Sequence, residues 1–70
     1  MTQTFSIGID IGGTNTDMGL VREDGTIIAR SNIPTNIYTE LQPYVRDIMG
    51  SIEGLMRDNG VENIEGIGIG

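Results

Sequence analysis

The chain has no cysteine, no histidine and no tryptophan among its 70 residues. Without cysteine there is no disulfide framework and no thiolate-held zinc, an absence that fits a reducing compartment without identifying one. Without histidine there is no imidazole base or imidazole ligand within the chain. Basic residues are also scarce. Four scattered arginines, Arg22, Arg30, Arg46 and Arg57, stand against ten carboxylates, giving a net charge of −6 and a pI near 4.1. Nucleic-acid binding needs a basic face, so no such partner is expected. No apolar run approaches the ~20 residues of a membrane span. The N-terminus lacks a basic stretch and Asp10 interrupts its one apolar run, so no signal peptide is expected and the location is expected to be cytoplasmic. The length limits the chain to one small unit, in which apolar burial barely exceeds the conformational entropy of ordering.

What is present is concentrated in residues 7–14, Ile-Gly-Ile-Asp-Ile-Gly-Gly-Thr. An alternating strand from Phe5 to Ile11 puts Phe5, Ile7, Ile9 and Ile11 on one face and Ser6, Gly8 and Asp10 on the other. Gly12-Gly13 then turns the chain, followed by the hydroxyl of Thr14 and the amide side chain of Asn15. Residues 15–23 read as a second strand, with Thr16, Met18 and Leu20 on one face and Asp17, Gly19 and Val21 on the other. The glycines therefore sit at the tip of a β-hairpin rather than at the start of a helix. Neither Gly-x-Gly-x-x-Gly nor Gly-Lys-Ser/Thr is present, so a dinucleotide fold and a P-loop are excluded. Gly-Gly alone is ordinary turn chemistry. With Asp10 before it and Thr14 after it, the tip reads as a phosphate site: bare amides approach a polyanion closely, and a carboxylate beside them can hold Mg²⁺ or its waters. Asn15 can bond phosphate or hold the turn. Gly8 either leaves a cleft wall open beside Asp10 or makes room for a bulky neighbour.

An Asp24-Gly25 turn leads to a third strand from Thr26 to about Ile33, in which Ile27, Ala29 and Ser31 alternate with Ile28, Arg30 and Asn32, and Pro34 ends it. A helix follows, with Leu41, Tyr44, Val45, Ile48, Met49, Ile52, Leu55 and Met56 on one face. Its start is open between a Thr39/Gln42 capping box and Gln42 with Pro43 at the first helical position. Gly60 suits an αL stop, and Glu53 and Arg57 suit an i,i+4 pair. Gly50 and Gly54 mark either a groove for a close neighbour or tolerated drift. Ile64 to Gly70 reads as a last strand. Strand, helix, strand implies a right-handed crossover and parallel pairing with the first strand. The fold class is α/β, βββαβ.

Asp10-Ile11-Gly12-Gly13-Thr14-Asn15 resembles the first phosphate motif of the actin-like ATPase superfamily. The Asp-x-Gly-Gly-Thr form, with Gly19-Leu20-Val21 and the Asp-Gly turn behind it, is similar to the ROK family of repressors and sugar kinases. The resemblance runs through the whole chain, and Ile64-Glu65-Gly66-Ile67-Gly68-Ile69-Gly70 resembles that fold's fourth strand. It implies strand order 3-2-1-4 in a ribonuclease H-like domain. Residues 1–70 would be the N-terminal, incomplete part of an actin-like ATPase domain in a sugar kinase roughly four times longer, most simply a glucokinase.

The same resemblance implies ATP and Mg²⁺ as cofactors, a hexose as the other partner and a homo-oligomeric parent. Gly12, Gly13, Thr14 and Asn15 would hold phosphate, and Asp10 would act on the metal through bound water. The catalytic base would be an aspartate beyond residue 70. None of Asp17, Asp24, Asp47 or Asp58 matches its position, and a zinc motif would also lie further on. Asp17 departs from the family, where a basic or small residue is common. Gly13-Thr14-Asn15-Thr16-Asp17 also resembles the hydantoinase and oxoprolinase enzymes, which share the fold and use ATP on amide or carbonyl substrates. The Gly66–Gly70 run resembles the ROK family instead. A sugar-responsive regulator or a structural module are the readings from other classes. The regulator is disfavoured because the hairpin starts at residue 7 and the charge is acidic.

Overall fold

The strands and helix expected from the sequence all form in the computed structural model, which describes residues 4–70. They are β1 (Phe5–Ile11), β2 (Asn15–Arg22), β3 (Ile27–Pro34), α1 (Leu41–Asp58) and β4 (Ile67–Ile69). The sheet order is β3-β2-β1-β4, with β1 antiparallel to β2, β2 antiparallel to β3, and β1 parallel to β4. This is the βββαβ opening with the crossover pairing expected.

One face of the sheet carries the core. Ile7 and Ile9 of β1 and Thr16, Met18 and Leu20 of β2 are buried there, against Ile48, Ile52 and Leu55 of α1 and Val61 beyond it. Alternation at period two delivers the first group and the three- and four-residue spacing of the helix delivers the second. The helix covers β2 and β3 more than the β1–β4 side. Ile67 and Ile69 are in register with Ile7 and Ile9, yet remain 45% and 69% exposed. The apolar face of α1 is also wider than its cover, leaving Leu41, Val45 and Met49 exposed.

Four details differ from the sequence reading. In β3, Leu20 pairs with Ala29 but Val21 pairs with Ile27, so a bulge at this point breaks strict alternation. The bulge turns Ile27 to the face of Val21, whereas Ile28 and Ala29 both pack on the core. At the start of α1 neither proposed cap forms. Glu40 is the N-cap in extended geometry with no side-chain bond, and Pro43 is the third helical residue, where its missing N–H costs nothing. The Glu53–Arg57 ion pair is also absent among the described residues: Arg57 Nη2 lies 3.8 Å from where a Gly54 Cβ would sit, and the one ion pair is Arg46 with Asp47. Finally, β4 is shorter than expected, although its hydrogen bonding to β1 extends from Glu65 N–H on Phe5 O to Ile11 N–H on Gly70 O.

The helix stop is as read. Gly60 has φ +68°, Gly60 N–H donates to Arg57 O and Val61 N–H donates to Met56 O at 2.8 Å, a Schellman closure sealed by buried Val61.

Candidate functional site

The β1–β2 hairpin lifts the tip clear of the core. Every residue from Asp10 to Asn15 is exposed, and burial begins at Thr16. The turn closes through Gly12 N–H on Asn15 O at 2.8 Å. That bond explains Gly12: a Cβ there would lie 3.0 Å from the Asn15 carbonyl oxygen. Gly13 is different. No atom of the described residues comes within 4 Å of a Cβ built on it. Neither glycine has positive φ, so conformational freedom is not what requires them. Turn closure requires the first, and the second leaves space above the backbone.

The Gly13 and Thr14 N–H groups find no acceptor among the described residues. Together with the Thr14 hydroxyl they give the exposed tip three donors for an anion, with the Gly12 amide already engaged. The Asn15 side chain also has no partner among the described residues, and the Asn15 backbone carbonyl oxygen is what holds the turn. The tip is tied from below, since Thr35 N–H donates to Thr14 O at 2.8 Å.

Asp10 lies on the face away from α1, as the alternation required. That face is a shallow trough of about 630 Å³. Its floor is glycine: Gly19, Gly8 and Gly68 stand side by side on β2, β1 and β4, with Gly70 beyond. Nothing lies within 4 Å of a Cβ on Gly8, so Gly8 opens a cleft wall and does not accommodate a neighbour among the described residues. Arg30 and Asn32 line the β3 side.

Asp17 is the residue the sequence reading left outside the site. Register places it directly across from Asp10, and Asn32 Nδ2 donates to its Oδ1 at 2.5 Å. Two carboxylates thus share the mouth of the trough, a like-charge cross-strand pair that is destabilising in the absence of a cation or a donor. The signal was available: a turn closed between Gly12 and Asn15 pairs position 10 with position 17. None of the other carboxylates lines this trough. Asp24 closes the β2–β3 turn, where the Thr26 N–H bond at 2.9 Å holds its carboxyl below the ordinary value. Asp47 accepts a bond from the Tyr38 hydroxyl at 2.6 Å, and this pushes the phenol up.

The residues fit the group that the resemblance implies. Free amide and hydroxyl donors suit phosphate oxygens, and open space over Gly13 admits them. An exposed carboxylate on the adjoining face suits a hydrated divalent cation.

No protein-family model matches the chain, and no curated protein matches it. A solved structure does: a candidate sugar kinase from Cytophaga hutchinsonii is 27% identical, with a TM-score of 0.68 over 94% of this chain. The match takes up 21% of that protein, so the chain spans about one fifth of its neighbour's length. The chain is therefore similar, in fold and in part of its sequence, to a segment of a sugar kinase.

Proposed function

We propose that the chain is the nucleotide-phosphate-binding segment of an ATP-dependent sugar kinase of the ROK type, with glucose as the hexose. Residues 1–70 would be the opening part of its actin-like ATPase domain, working in the cytoplasm as part of a homo-oligomer. The observation that carries this reading is the exposed hairpin tip, with unengaged Gly13 and Thr14 amides beside Asp10. The sugar-kinase neighbour supports it over the hydantoinase and oxoprolinase alternative.

The chemistry follows from what these residues can do. Phosphoryl transfer depends on positioning and charge stabilisation more than on covalent participation by the protein. The Gly13 and Thr14 N–H groups and the Thr14 hydroxyl bind and orient terminal phosphate oxygens. Asp10 would hold a hydrated divalent cation beside the phosphates. Mg²⁺, when bound, supplies neutralisation of the phosphate charge. Asn15 keeps the turn closed, with its side chain free for a further phosphate contact. The base that takes the hexose proton lies outside these residues in this reading.

The test is a coupled phosphorylation assay across a panel of hexoses, run on the full-length protein and on residues 1–70 alone. Turnover with glucose is expected from the former. The segment alone should show none, and its ATP affinity should be no better than millimolar, about −4 kcal/mol. Turnover by the isolated segment would place the chemistry in its own carboxylates and contradict the proposal. So would a full-length protein inert toward every hexose.

A further inference from the structure

Beneath the hairpin tip lies a polar cluster that the proposed chemistry does not use. Thr16 is completely buried, next to Met18 and Leu20 on the core face of β2. Its Oγ1 is 2.7 Å from Thr35 Oγ1 and 2.5 Å from the Tyr44 hydroxyl. These residues come from three places: the hairpin, the connection after β3, and the first turns of α1. Thr16 has one proton, so it donates to one neighbour at most and accepts from the other. No buried side-chain polar atom is left unpartnered among the described residues.

A hydroxyl buried in an apolar layer contributes little net stability, because its hydrogen bonds replace those it made to water. An isosteric valine would fill the same space. What a hydroxyl chain adds is directionality, since its bonds fix angles that apolar packing leaves loose. Here the fixed object is the tip. Thr35 is held by Thr16 through its side chain, and through its N–H it holds the Thr14 carbonyl. The Thr14 carbonyl belongs to the residue whose hydroxyl and amide are proposed to meet phosphate. On the far side, Tyr44 packs its ring 5.1 Å from that of Tyr38, whose hydroxyl is bonded to Asp47 one turn along α1. The chain therefore runs without a gap from α1 to the phosphate tip.

We infer that Thr16, Thr35 and Tyr44 are positioning residues, a part-buried hydroxyl chain anchored on buried Thr16 that sets the placement of the Gly13–Thr14 donors relative to α1. The inference rests on the phosphate-binding reading of the tip. A small displacement of such donors is enough to matter, because transition-state charge stabilisation depends on geometry fixed in advance.

The test uses Thr16→Val, Thr16→Ser and Tyr44→Phe in the full-length protein. Two quantities are read: amide hydrogen exchange at Thr35, and kcat with KM for ATP and for sugar. Thr16→Val and Tyr44→Phe are expected to speed Thr35 exchange about tenfold, a difference equivalent to ~1.4 kcal/mol, while exchange in the core of α1 is unchanged. They should lower kcat/KM for ATP by a similar factor and leave the sugar KM alone. Thr16→Ser, which keeps the hydroxyl, should restore both. If Thr16→Val does not fold, Tyr44→Phe decides, since Tyr44 is only half-buried and keeps its ring. Wild-type rates and unchanged Thr35 exchange in the valine and phenylalanine variants would overturn the inference. A wild-type protein without turnover would sink the kinase reading instead, with the exchange rates still deciding whether the hydroxyl chain holds the tip.

Discussion

Replacing Asp10 by Asn in the full-length protein is expected to lower kcat by about 100-fold or more while the sugar KM moves less than about threefold. The size follows from the role. A carboxylate that fixes metal-bound water organises charge around the phosphoryl group, and its contribution is largest in the transition state. The structure also removes the usual alternative explanation for such a loss. Asp10 is exposed, has no hydrogen-bond or ion-pair partner among the described residues, and faces Asp17 across the hairpin. Neutralising it relieves a like-charge pair, so the variant should melt no lower than wild type. Steady-state kinetics and a melting curve on one preparation check both halves. Turnover within a few-fold of wild type would remove Asp10 from the site.

The second large effect separates the two glycines. Gly13→Val is expected to weaken ATP-analogue binding at least tenfold, about 1.4 kcal/mol, with sugar binding and melting temperature nearly unchanged. A Cβ there has no atom of the described residues within 4 Å, so the collision expected is with a ligand over the tip. Gly12→Val should behave otherwise. Its side chain would press on the Asn15 carbonyl that closes the turn, so this variant should lose stability together with nucleotide binding. Titration of each variant with an ATP analogue and with glucose distinguishes the cases. Parallel loss of both ligands in Gly13→Val would mean damage to the fold and would contradict a phosphate contact.

Much of this was legible in the residues. The alternation of Ile7 and Ile9 with Gly8 and Asp10 settled which face of β1 was buried and which carried the carboxylate. The hairpin tip at Gly12-Gly13, the αL stop at Gly60 and the parallel return of Ile67–Ile69 were equally local signals, each written within a few residues. What was not legible depends on groups brought together from a distance. The bulge beside Val21 has no residue signature, and it turned Ile27 to the opposite face. The exposure of Leu41, Val45 and Met49 follows from where α1 lies over the sheet, which helical periodicity does not specify. Tyr44 reads as one more apolar residue on a helix face, and only tertiary contact shows that its hydroxyl meets Thr16. The pairing of Asp17 with Asp10 was recoverable, because hairpin register follows from the turn, but it required carrying the register back along both strands.

The tip of the β1–β2 hairpin is proposed to receive nucleotide phosphate. Amide chemical shifts of the full-length protein, followed during titration with Mg²⁺ and a non-hydrolysable ATP analogue, test it at the atoms concerned. Within residues 4–70 the largest changes are expected at the Gly13 and Thr14 N–H groups, which have no acceptor among the described residues. Gly13→Val is expected to abolish those changes at Thr14. Saturable nucleotide binding that leaves both amides unmoved would contradict the proposal.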